Sequence, residues 1–198
     1  LDTATGALST NTFGTFAAIV KRGSTGSWHT FLALHSSGGS ALNQFAYNDT
    51  NTAALWVDGV TVTGPAAVAT TAWGLVVVRK ATGTATPRFS LYNFTTGTWA
   101  HAKASASRPN WAAPGASGTV RFRWETFDHF VGRVAVRAAW NTVKWAADST
   151  GDAALEAAGL QTSLQKWVDA APDALWPFNQ AATSTAVTDI TGNGANQT

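Results

Sequence analysis

The chain has 198 residues, 45% apolar and only 12% charged, a composition that supplies a large core and argues against intrinsic disorder. Its net charge is +2, and Lys and Arg are adjacent only at Lys21-Arg22 and Arg79-Lys80, so no basic face of the kind nucleic-acid binding needs is gathered. Cys is absent, which excludes disulfides and thiolate metal sites, and no apolar run reaches 18 residues, so no membrane-inserting helix is expected.

The opening LDTATGALSTNTFGTFAAIV lacks the basic and continuous apolar regions of a secretory signal. Met is missing throughout, the initiator included, so we expect a trimmed product or part of something longer. From residue 13 to about 140 the dominant period is two. TFAAIVKR (15–22), WHTFLALHS (28–36), LNQFAYN (42–48), AALWVDG (53–59) and GVTVTG (59–64) read as short strands. AWGLVVVRK (72–80), PRFSLYNF (87–94), TWAHAKA (98–104), GTVRFRW (118–124) and FVGRVAVRAAW (130–140) continue the series. About ten closely spaced strands leave no room for βαβ units, so the expected fold class is all-β.

The turns agree. Asp58-Gly59 between alternating apolar residues is a strong hairpin signal. KATGTATPR (80–88) and NFTTGTW (93–99) place Gly where a reversal needs positive φ, and RPNWAAPGASG (108–118) reads as a long loop. GLVVVRK has no polar alternation and predicts a strand covered on both faces. VRFRW instead puts Val120, Phe122 and Trp124 on one face and Arg121 and Arg123 on the other. Together they predict a two-sheet antiparallel sandwich.

After residue 145 the period changes, and a helical segment is predicted near 149–170. Ser149 or Thr150 is the expected first cap and Gly159 the end of the first helix. Thr162 and Gln165 have capping-box spacing for a second helix, with Leu164, Trp167 and Val168 on one face. LWPFNQ and STAVTDITGNG return to extended structure, with a final strand expected at about 184–192. No repeat or linker interrupts the chain, so a single domain spanning 1–198 is expected.

Glu125 and Asp128 raise the question of catalysis, because paired carboxylates drive most glycoside hydrolysis. In jelly-roll glycosidases the acids alternate along one strand and so share a face. A spacing of three sends Glu125 and Asp128 to opposite faces unless a bulge intervenes, so catalytic residues are not expected. Neither a G-x-S-x-G elbow nor a phosphate loop is present, and the four His show no zinc spacing. YNDTN (47–51) clusters oxygen donors around Asp49 that suit calcium and equally suit an Asn/Asp turn. No cofactor is assigned.

The sequence carries ten Trp. Trp73, Trp140, Trp145, Trp167 and Trp176 lie in apolar runs and are expected in the core. Trp28, Trp99 and Trp111 stand beside Gly, Ser, Thr or Pro, and Tyr47 adjoins the polar loop. An exposed ring can stack on the apolar face of a sugar, so these four, with Asn110 and Arg108 beside Trp111, are the candidate carbohydrate-binding residues.

FVGRVAVRAAWN (130–141), the Ala- and Leu-rich helical piece after it, and the pair AWGLVVVRK and RFSLYNFTTGTW resemble the concanavalin A-like jelly roll in its laminin-G-like form. The closing DITGNG is similar to the last strand of such domains in tail and virion proteins of bacteriophages infecting actinobacteria. The resemblance implies binding of glycans or protein surfaces, sometimes with calcium. It leads us to expect a virion or extracellular location, and other virion proteins and host cell-wall polysaccharide as partners. A structural virion role without a glycan ligand is the alternative, and a glycoside hydrolase acting through Glu125 the third.

Overall fold

The computed structural model describes residues 2–4, 14–26, 28–36, 41–57, 60–110, 113, 115, 117–121, 132–177 and 190–191. Its strands are β1 (Asp2–Ala4), β2 (Gly14–Arg22), β3 (His29–His35), β4 (Ala41–Tyr47), β5 (Thr52–Val57) and β6 (Val60–Ala66). There follow β7 (Gly74–Lys80), β8 (Arg88–Asn93), β9 (Thr98–Lys103), β10 (Thr119–Arg121), β11 (Gly132–Trp140) and β12 (Ala174–Pro177). Helices α1 (Ser149–Ala158) and α2 (Leu164–Asp169) lie between the last two strands.

All ten strands expected from the alternation are present; β1 and β12 are additional, the latter largely within the segment read as extended. They form two six-stranded sheets, ordered β1-β10-β3-β4-β5-β6 and β12-β11-β2-β7-β8-β9, with antiparallel pairing at every named contact. The fold is an all-β sandwich with a short helical segment. Phe16, Ala18 and Val20 of β2 and Val76 and Val78 of β7 pack against Phe31, Phe45, Tyr47, Leu55 and Val62 of the opposite sheet.

The second sheet is also covered on its outer face. Leu75 and Val77, which alternate with Val76 and Val78, join Val136, Ala138 and Trp140 beneath Leu155, Leu160 and Trp167 of the helical layer. β7 is buried from end to end, as its unbroken apolar run predicts. Two indoles bind the layer down: Trp140 Nε1 donates to Ala170 O at 2.9 Å and Trp167 Nε1 to Leu160 O at 2.7 Å. Trp145 packs edge-on to Trp140. Trp176 is also buried, whereas Trp73, expected in the core, is half-buried.

Helix ends differ from expectation by a residue. Asp148, rather than Ser149 or Thr150, caps α1 by accepting from Gly151 N at 2.9 Å, and Gly159 closes it in a left-handed conformation as expected. Ser163 is the N-cap of α2, and the Thr162 hydroxyl donates back to Gly159 O instead of capping forward. Trp167 alone of the predicted apolar trio is buried; Leu164 and Val168 are 39% and 44% exposed. A six-residue helix meets the sheet at one point, and its indole fills it.

Gly132 accounts for the glycine in FVGRVAVRAAWN. It pairs with Arg22 at φ 147°, and a Cβ there would stand 2.2 Å from Lys21 O. The hairpin at Asp58-Gly59, the face of Phe122 and Trp124, and the remainder of the strand expected at 184–192 lie outside the described residues; Ile190 and Thr191 form a turn.

Candidate functional site

The candidate residues do not converge. Tyr47 is wholly buried, its ring edge-on to Phe31 at 4.8 Å with the Arg22 guanidinium 5.1 Å from its centroid. It is a core residue, which corrects its assignment as a sugar platform: Phe45 and Tyr47 share the inward face of β4. Trp28 is half-buried ahead of β3, in the sheet opposite Trp99.

The YNDTN loop is an Asn turn. Asn48 Oδ1 accepts from Thr50 Oγ1, Thr52 N and Thr52 Oγ1, each at 2.9 Å, and Asn51 Oδ1 accepts from Arg22 at 2.6 Å. The Asn oxygens that would suit a cation are therefore engaged by protein donors, and Asp49 is exposed.

Arg108 and Asn110 lie where the loop following β9 is fastened to the β7–β8 turn. Arg108 bridges Ala85 through the backbone, and Asn110 Oδ1 accepts from Gly83 N at 2.7 Å. Trp111 lies outside the described residues, as do Glu125, Asp128 and His129. Trp99, at the other end of β9, is about 13 Å of strand away from Lys103, beyond which this loop begins.

Trp99 has the most developed surroundings. The NFTTGTW turn sets the β8–β9 register: Asn93 pairs with Thr98, Tyr92 with Trp99, Ser90 with His101 and Arg88 with Lys103. One face of the hairpin therefore carries Arg88, Ser90 and Tyr92 beside Trp99, His101 and Lys103. Tyr92 contacts Phe94 at 5.1 Å and Trp99 at 5.2 Å, and Trp99 stacks on His101 at 5.5 Å with 12° between the planes. Trp99, Tyr92 and Phe94 are half-buried, so the aromatic strip meets solvent on one side and the helical layer on the other.

Charged residues border the strip. Asp152 of α1 receives Arg79 NH2 on Oδ1 and Arg88 on both carboxylate oxygens, the Arg88 Nε contacts being 2.8 Å each. Burial would raise the Asp152 carboxyl, but the hydrogen bonds from Arg88 and Arg79 outweigh it and hold the group at about 2. Arg79 is wholly buried and also donates to Ala146 O and Ser90 Oγ at 2.8 and 2.7 Å.

Ser90, His101 and Glu156 form a relay: Ser90 Oγ is 2.8 Å from His101 Nδ1, and His101 Nε2 is 2.8 Å from Glu156 Oε1. Since Ser90 Oγ accepts from Arg79, its own proton can go to Nδ1, which leaves Nε2–H facing Glu156 in the neutral ring. The order resembles that of a nucleophile, base and orienting acid. Ser90 is wholly buried under Arg79, however, and offers a substrate no approach. Chemically the relay fastens α1 to the hairpin. It escaped the sequence reading, although the hairpin turn already implied the Ser90–His101 register.

No group of three or more His, Cys, Asp or Glu among the described residues could hold a metal. No helix among them is long and apolar enough to cross a membrane.

No family model matches the chain, and no curated protein matches it. Among solved structures it is similar to the full extracellular region of zebrafish Gpr126/Adgrg6, at 10% identity and TM-score 0.46 over 72% of this chain and 20% of that one. It is similar to tailspike protein 2 of Escherichia coli O157:H7 bacteriophage CAB120, at 19% identity and TM-score 0.45 over 75% and 22%. It is also similar to scytalido-glutamic peptidase, at 14% identity and TM-score 0.33 over 67% and 76%. The chain spans about a fifth of the length of the first two.

Proposed function

We propose that this chain is a non-catalytic, extracellular binding module of a phage virion that recognises host cell-envelope glycan along the β8–β9 strip. The observation that carries the reading is the half-exposed Trp99, set between Tyr92 and His101, with the exposed Glu156 on the far nitrogen of His101. Aromatic faces accept the apolar CH face of a sugar ring while neighbouring charged groups bond its hydroxyls. The virion setting, with actinobacterial hosts, rests on the resemblance of the closing DITGNG segment.

The non-catalytic part is supported by two groups at the strip. Asp152 is held ionised by two arginines and cannot serve as a proton donor near neutral pH, and the relay serine is covered. Binding of the chain to purified host cell-wall polysaccharide, with no release of reducing sugar, is the expected result. Failure to bind any host polysaccharide would reject the proposal.

A second reading, decoration or joining of the particle, has its own support. Leu164, Val168 and Ile190 are large apolar side chains left exposed on the helical side, a surface another subunit could cover. Loss of particle assembly in a Leu164→Ser/Val168→Ser variant, with glycan binding absent in the wild type, would favour it.

A further inference from the structure

His101 touches both parts of the strip. Its ring lies nearly parallel to the Trp99 indole, and its nitrogens reach Ser90 Oγ and Glu156 Oε1, with Asp152 Oδ1 3.3 Å from Nδ1. The charged groups around it are Arg79 from β7, Arg88 from β8, Lys103 farther along its own strand, and Asp152 and Glu156 from α1, with Asp148 at that helix's cap. In the neutral ring Nδ1 accepts from Ser90. A second proton, taken from solvent, makes Nδ1 a donor facing Asp152, while Nε2–H keeps Glu156. The same proton adds a cation against the indole face, an attraction the neutral ring lacks.

From this geometry we infer that His101 is a positioning residue for Trp99, whose protonation tightens the seat of the indole and strengthens ligand binding at the strip in mildly acidic solution. The tightening stands on the contacts alone; the gain in binding rests on the proposed role of Trp99.

Labelling the full chain with 5-fluorotryptophan gives a ¹⁹F resonance for Trp99, identified by its disappearance in Trp99→Phe. Between pH 8 and 5, where imidazoles titrate, this resonance is expected to move in one step together with the His101 ring signals. His101→Gln removes the step. A Trp99 resonance flat over this range, or a step that survives His101→Gln, overturns the inference.

Retention on purified bacterial peptidoglycan supplies the second readout and is expected to be about two- to fivefold greater at pH 5.5 than at pH 8. Equal retention at both pH values with the spectral step intact overturns the binding half of the inference. No retention at either pH, with the step intact, rejects the ligand role of Trp99 and leaves the positioning role established.

Discussion

The Asp152 carboxylate and the wholly buried Arg79 guanidinium meet across the seam between α1 and the central strand β7, with Arg88 donating to both carboxylate oxygens. A buried guanidinium without its counter-charge is costly, so Asp152→Asn should destabilise the fold by about 3–5 kcal/mol at neutral pH. The wild type carries a matching signature in acid. The Asp152 carboxyl sits at about 2, against an ordinary 3.8. Its folded value lies below the unfolded one, so the stability it contributes is complete above about pH 4 and is lost as pH falls toward 2, about 2 kcal/mol in all. Urea unfolding from pH 5 to 2 checks this; Asp152→Asn should remove that part of the slope.

Two glycines mark the closest approaches of backbone to backbone. A Cβ at Gly132 would meet Lys21 O at 2.2 Å, and one at Gly151 would meet Ala146 O at 1.8 Å. Gly132→Ala and Gly151→Ala should each cost about 1–3 kcal/mol because the obstacle is main chain and cannot rotate away. Thermal melts read the loss. Amide exchange across 149–158 should quicken in Gly151→Ala, since the Ala146 carbonyl it displaces also binds Arg79.

Trp140 links β11 to the end of α2 through the bond from Nε1 to Ala170 O. Trp140→Phe keeps most of the apolar volume, removes the donor and leaves the buried carbonyl without it, at a cost of about 2 kcal/mol. Chemical denaturation measures it; a variant as stable as the wild type would show that packing, and not this bond, joins β11 to the end of α2.

The fold was legible where local periodicity decides it. The unbroken GLVVVRK announced a strand covered on both faces, and the glycines at 83 and 97 marked turns that do have positive φ. The site was less legible because its contacts join distant residues. Asp152 looks like a helix first-turn acid until Arg79, 73 positions away, is brought beneath it. Tyr47 looks like a loop aromatic until its alternation with Phe45 is given precedence over the neighbouring Asn and Asp. The β8–β9 strip was readable in part, since Trp99 stood among the candidates and a hairpin turn alone sets its partners. What no local pattern shows is the helix that lines it.

Trp99 on the aromatic strip gives the most direct test. Retention of the wild type and of Trp99→Ala on purified host cell-wall polysaccharide should be compared, with melting temperature confirming that both are folded. At least a tenfold weakening is expected in Trp99→Ala, or about 1.4 kcal/mol of binding energy. Retention undiminished by the substitution would contradict it.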